Sequence, residues 1–251
     1  MAGHSKWSTI KRKKGALDAK RSKMFTRVIK EINVAIKEGG SADPDSNPAL
    51  RNAIANAKGV NMPKDNIDRI IKKASGADAE NYEEVTFEGY GPHGIAFFIE
   101  CTTDNMNRTV ANIRAIFNRN EGNLGTNGSL EFLFERKGVF TINKNSISMD
   151  LDDLELELID SGLDSMDTED EEVIIVYSTF SEFGAMQSAL EKLKIEVQST
   201  KLERVPLNTV ELPIEQAKKI LKLEEKFDDD DDVQNVFHNL EITDELIAEM
   251  E

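Results

Sequence analysis

Residues 85–118, VTFEGYGPHGIAFFIECTTDNMNRTVANIRAIFN, set the period against which the whole chain is read. Stretches 85–90 and 95–102 have the length and apolar content of strands, and they flank the turn Gly91-Pro92-His93-Gly94. Stretch 107–118 then places Val110, Ile113, Ile116 and Phe117 three and four apart, the spacing of a helix with one buried side. Strands feeding a helix in this order predict an α+β or α/β unit.

Downstream the pattern continues. Glycines and asparagines crowd 120–128, a predicted loop, and 130–142 reads as a strand. A helix is expected at 151–159, a strand at 173–178, a helix at 183–193 and a strand at 196–204. The last section repeats the order, with a strand at 209–212, a helix at 214–227 and a strand at 233–240. Pairing 95–135 with 209–240 makes one βαββαβ sheet, into which 136–206 is inserted. A separate tail at 207–251 is the alternative, disfavoured because one helix and two strands bury too little to stand alone.

Upstream the chain is helical and basic. Leu17, Met24, Phe25, Val28, Ile29, Ile32 and Ile36 form one apolar stripe, and Gly39-Gly40 stops it. Lys20, Lys23, Arg27, Lys30 and Lys37 fall on a neighbouring arc, a basic ridge expected to face solvent, while Arg21 lies towards the apolar side with its stem packed. Further helices are predicted from Pro48 and from Pro63, ending at Gly76. The expected fold is therefore α+β in three domains: a helical bundle at 1–80, an α+β domain from 81–135 with 207–251, and an inserted α+β domain at 136–206.

Charge divides at the end of the bundle. The chain has 251 residues and a net charge of −16. Residues 1–76 hold 17 Lys and Arg against 7 Asp and Glu, a net +10, and the remainder holds 14 against 40, a net −26. A polyanion responds to the local field within about 8 to 10 Å, so the basic part can bind phosphate although the whole chain is acidic. The candidate nucleic-acid contacts are Lys6, Trp7, Lys11, Arg12, Lys13, Lys14, Lys20, Arg21, Lys23, Arg27 and Lys30, the cations for phosphates and Trp7 for stacking. The bland alternative is a solvated basic tail whose tryptophan caps the bundle. It is disfavoured because like charges repel until a polyanion relieves them.

Other motifs carry less. His93-Gly94-Ile95-Ala96-Phe97-Phe98 only faintly resembles an RNA-recognition strand and is better explained as a core strand. The run Asp228–232 lacks the spacing and glycine of a calcium loop, and it reads as a solvated junction, as do the acidic stretches at 150–157 and 164–172. Cys101 stands alone, which excludes an internal disulfide and, with three scattered histidines, a Cys/His zinc cluster. No nucleophile elbow, phosphate loop or dinucleotide fingerprint appears, so the reading is non-enzymatic, with no cofactor and no metal. No apolar run approaches the ~18 to 20 residues of a membrane span, and no signal peptide is seen, so a cytoplasmic location is expected.

Met1-Ala2-Gly3-His4-Ser5-Lys6-Trp7, residues 61–67 (NMPKDNI), 87–92 (FEGYGP), Thr103-Asp104-Asn105 with Asn107-Arg108-Thr109, Gly122-Asn123-Leu124-Gly125 and residues 231–236 (DDVQNV) together resemble the YebC family, in order and over essentially the whole chain. His93 and Met106 depart from the usual pattern. The resemblance implies a helical bundle followed by two ferredoxin-like α+β domains. It further implies a cytoplasmic transcriptional regulator that binds DNA. Members that include a mitochondrial translational activator act on translation, so a ribosome-associated factor binding RNA is the alternative, its acidic domains meeting a basic protein partner. The family supplies no catalytic residues to carry over.

Overall fold

The computed structural model describes residues 18–76, 79–170 and 172–250. Three helices come first: α1 (Asp18–Gly39), α2 (Pro48–Gly59) and α3 (Lys64–Ala74). There follow β1 (Glu83–Tyr90), β2 (Ala96–Thr103), α4 (Met106–Arg119) and β3 (Asn123–Leu124). Then come β4 (Phe134–Asn143), α5 (Leu151–Ile159), β5 (Leu163–Asp167), β6 (Val173–Thr179), α6 (Phe183–Lys192) and β7 (Val197–Pro206), before α7 (Ile214–Asp228), β8 (Val233–His238) and α8 (Asp244–Met250).

The helical stripe becomes the bundle core. Val28, Ile32, Ala35 and Ile36 of α1 bury against Leu50, Ala53, Ala57, Met62 and Ile67. Gly40 takes φ +64, a left-handed conformation that glycine adopts without a Cβ penalty, and its amide closes on Ile36 O at 3.0 Å. Asn47 then starts α2. Its side-chain oxygen accepts from Leu50 N, and its amide donates to Ala35 O and Ser41 O, both at 2.8 Å, so one buried side chain joins the end of α1 to the start of α2.

The sheets are both four-stranded and antiparallel, in the orders β3-β1-β2-β8 and β5-β6-β4-β7. The second has βαββαβ chain order, with α5 and α6 covering Phe140, Ile142, Ile174 and Val176. The first closes only after the second is complete, because β8 returns to pair with β2. Its core gathers Phe97, Ile99, Ile113, Phe117, Ile220, Leu221 and Phe227 from β2, α4 and α7.

Four expectations need correction. An inner place in the first sheet, between β3 and β2, belongs to β1, and residues 209–212 contribute only the parallel bridge between Val210 and Leu240. The Gly/Asn loop contains β3, which sits close because Gly89 has no Cβ; one would lie 2.5 Å from Asn123 O. The 130–142 run divides into a 3-10 turn, Glu131–Leu133, and β4. β5 and α8 lie outside the expected elements, β5 because LDSMD has no strand-like alternation of apolar residues.

Candidate nucleic-acid interface

Lys6, Trp7, Lys11, Arg12, Lys13 and Lys14 lie outside the described residues. Lys20 and Arg21 fall on the backbone of the first turn of α1. Lys23, Arg27 and Lys30, at spacings of four and three, share one side of that helix, as their periodicity requires.

That side does not face solvent. It lies against the turn that carries the acidic run from α7 into β8. Lys23 Nζ donates to Asp229 Oδ1 and, at 3.1 Å, to its carbonyl. Arg27 Nε donates to Val233 O at 3.1 Å, and its Nη2 to Asp228 O at 3.0 Å. Lys30 Nζ donates to Thr102 O at 2.8 Å, Asp231 O at 2.7 Å and Asp232 Oδ1 at 2.9 Å. Side-chain exposure falls along the ridge from 35% at Lys23 to 29% at Arg27 and 6% at Lys30. The expectation of a solvent-facing ridge is thus corrected for Lys23, Arg27 and Lys30, while Lys37 near the end of α1 is exposed as expected. Helical periodicity locates a polar arc but is silent about what covers it.

Asp232 is the hub. Besides Lys30 it takes Arg108 Nη2 at 2.7 Å on Oδ2 and 2.9 Å on Oδ1, Thr109 Oγ1 at 2.8 Å and Thr103 Oγ1 at 3.2 Å. Burial alone would raise its carboxyl, but the donors Arg108, Lys30 and Thr109 outweigh burial and hold it below the usual aspartate value. Asn105 positions Arg108 by capping α4, its side chain accepting from Arg108 N at 3.1 Å. Two stretches some 125 residues apart, at 103–109 and 231–236, thereby meet beneath α1. A solvated junction describes exposed Asp229 and Asp231 but not buried Asp232. The missed signal is charge complementarity between one acidic run and one basic helix side.

The second sheet engages the bundle separately. Edge strand β7 offers Thr200 N to Asn56 Oδ1 at 3.2 Å, while Gln187 on α6 donates to Asn52 at 2.7 Å. Asn56 also donates to Glu31 Oε1 at 2.7 Å. Glu31 and Glu84 are both raised by burial, the first despite the Asn56 bond and nearby Lys201.

Glu88, fully enclosed on β1, accepts from Gly128 N at 2.6 Å and from Leu130 N, pinning the loop that leads into β4. Cys101 is buried, and burial pushes its thiol up, away from the thiolate needed for nucleophilic chemistry. Among the described residues no three His, Cys, Asp or Glu side chains are grouped to hold a metal ion, and no helix is long and apolar enough to cross a membrane.

Comparison with known proteins covers nearly the whole chain. The family profile described as TACO1/YebC second and third domain matches residues 82–240, and that described as TACO1/YebC protein N-terminal domain matches 5–77. A "probable transcriptional regulatory protein" of Amoebophilus asiaticus is 49% identical, over 96% of this chain and 98% of the relative. One from Chlorobaculum parvum, with the same description, is 46% identical over 100% of this chain and 99% of its own. The crystal structure of a conserved hypothetical protein from Aquifex aeolicus superposes with a TM-score of 0.80 at 38% identity, covering 90% of this chain and 93% of that one. With profiles matched across the bundle and both sheets, and relatives matched end to end, the chain belongs to the TACO1/YebC family.

Proposed function

We propose that this protein is a cytoplasmic, non-enzymatic regulator that binds nucleic acid, DNA in the first instance, through its basic amino-terminal part. The observation that carries the reading is the division of charge, +10 over residues 1–76 against −26 over the rest. Relatives described as probable transcriptional regulatory proteins support it. The phosphate contacts come from Lys6, Lys11, Arg12, Lys13 and Lys14, continued by Lys20 and Arg21, with Trp7 stacking. Lys23, Arg27 and Lys30 have a different task. They fasten α1 to the acidic turn, which brings carboxylates close enough to repel misplaced phosphate. In this reading residues 1–80 are the binding domain, and 81–135 with 207–251 and the inserted 136–206 are the domains that orient it.

Crosslinking the protein to nucleic acid in cells and sequencing what is attached tests the function. Enrichment of promoter DNA is expected. Enrichment of ribosomal RNA instead would replace transcription by translation as the process regulated.

A further inference from the structure

α4 spans 14 residues without one carboxylate, in a chain that holds 47 Asp and Glu. Thr109, Ile113 and Phe117 bury its inner side against the sheet. Opposite them Asn107, Ala111, Arg114 and Asn118 recur at spacings of four, three and four, so they form one stripe, and all four are exposed. Arg119 is exposed on its flank. α7 packs alongside, with the rings of Phe117 and Phe227 4.8 Å apart, and it exposes Lys219, Lys222 and Lys226 at spacings of three and four. Lys226 donates to Asn120 across the two helices. No ion pair joins Arg114, Arg119, Lys219 or Lys222 to another described residue.

Uncompensated cations on neighbouring helices repel one another, and a polyanion relieves that repulsion. Between them stand two amides that both donate and accept, with an alanine at the centre that keeps the helix surface low. This is the donor set for phosphate oxygens and base edges together. At about 1.5 Å per residue the stripe is roughly 17 Å long, and a helix of this width enters the ~12 Å major groove of B-form DNA but not the deep, narrow major groove of A-form RNA. We propose that the outer side of α4, flanked by the lysines of α7, is a second nucleic-acid surface that lies against duplex DNA. Arg114, Arg119, Lys219 and Lys222 meet phosphates there, and Asn107 and Asn118 reach base edges. The surface borders the acidic turn, where Asn112 donates to Asp230 at 2.9 Å and Arg108 shares Asp232 with Lys30 of α1. This inference rests on the nucleic-acid reading above and deepens it.

The test uses the full chain and a random duplex of about 20 base pairs, titrated with salt. Two variants are compared with wild type: the quadruple R114Q/R119Q/K219Q/K222Q, and Ala111→Glu, which places a carboxylate at the centre of the stripe using a good helix former. Both should melt as the wild type does. The quadruple variant should bind at least tenfold more weakly at low salt with a log–log salt slope smaller by about 3, and Ala111→Glu should also lose at least tenfold. Unchanged affinity and slope in both variants would overturn the proposal. K11Q/R12Q/K13Q/K14Q serves as the control. If it alone weakens binding, the α4 surface fails while the proposed function stands, and if no variant weakens binding, both fail. A larger loss on single-stranded RNA than on duplex DNA would overturn the assignment to duplex DNA.

Discussion

Lys30 Nζ lies 2.9 Å from Asp232 Oδ1 in a site from which water is almost wholly excluded, and the two residues sit on elements that pack into different hydrophobic cores. Each charge is multiply bonded: Lys30 also meets two backbone carbonyls, and Asp232 also meets Arg108, Thr109 and Thr103. Such a pair is worth little against a well-packed apolar replacement, but removing one partner strands the other in low dielectric. Its value here is positional, since it fixes α1 on the first sheet.

Asp232→Ala is accordingly expected to cost about 3 to 5 kcal/mol in chemical denaturation, because it leaves Lys30 buried without its carboxylate. Lys30→Met should cost less, since Arg108 still neutralises Asp232. A loss under about 1 kcal/mol for Asp232→Ala would show that the contact is loose in solution.

The two kinds of carboxylate make opposite pH predictions. Asp232 has a depressed folded value, so its contribution is present above the ordinary aspartate range and disappears as pH falls through the folded value. Glu31 and Glu84 have raised folded values, so their burial costs stability at neutral pH, and that cost vanishes as they protonate on mild acidification. Thermal stability should therefore peak on the acid side of neutrality and fall steeply only below about pH 4. Glu31→Gln should raise the melting temperature at pH 7.5 more than at pH 5. Equal effects at both values would exclude Glu31 as the source.

Gly59→Ala is a test of how α2 meets β7. In an open helix the change would stabilise by up to about 1 kcal/mol. Here the added Cβ would fall 2.4 Å from Gln198 O, a backbone atom that cannot swing aside. The variant should melt lower than wild type, with faster hydrogen exchange at the Thr200 amide. A higher melting temperature would mean that the bundle and second sheet are not in contact in solution.

Glu88→Gln replaces a carboxylate that accepts from both Gly128 N and Leu130 N by a group with one accepting oxygen. One buried amide is left unpaired, at an expected cost of about 1 to 3 kcal/mol. The exchange protection of Leu130 reports it directly. Unaltered protection would assign the loop's order to Leu130 and Phe134 packing instead.

What the residues disclose, and what they hide, follows from how local each signal is. Asn47-Pro48 and Gly40 mark helix ends by chemistry confined to a few neighbours, and α2 begins at Pro48 as read. The period of 107–118 likewise fixes α4 to within a residue or two. β3 and β5 escape because their backbones are ordered by partners, Tyr90 for Asn123 and Val176 for Met166, and not by a pattern of their own. The use of β1 as an inner strand beside β2 escapes for the same reason. In the candidate site the cations were legible, but the covering of Lys30 was not, since Asp232 lies 202 residues away along the chain.

The central claim is that Lys11, Arg12, Lys13 and Lys14 grip phosphate while Lys30 and its neighbours hold α1 on the acidic turn. A salt titration of the full chain on one random duplex, wild type against K11Q/R12Q/K13Q/K14Q, tests it most directly. Each phosphate contact in duplex DNA contributes about 0.9 to the log–log slope, so the variant's slope should be smaller by about 3 to 4 while its melting temperature stays that of the wild type. An identical slope in the two proteins would contradict the account.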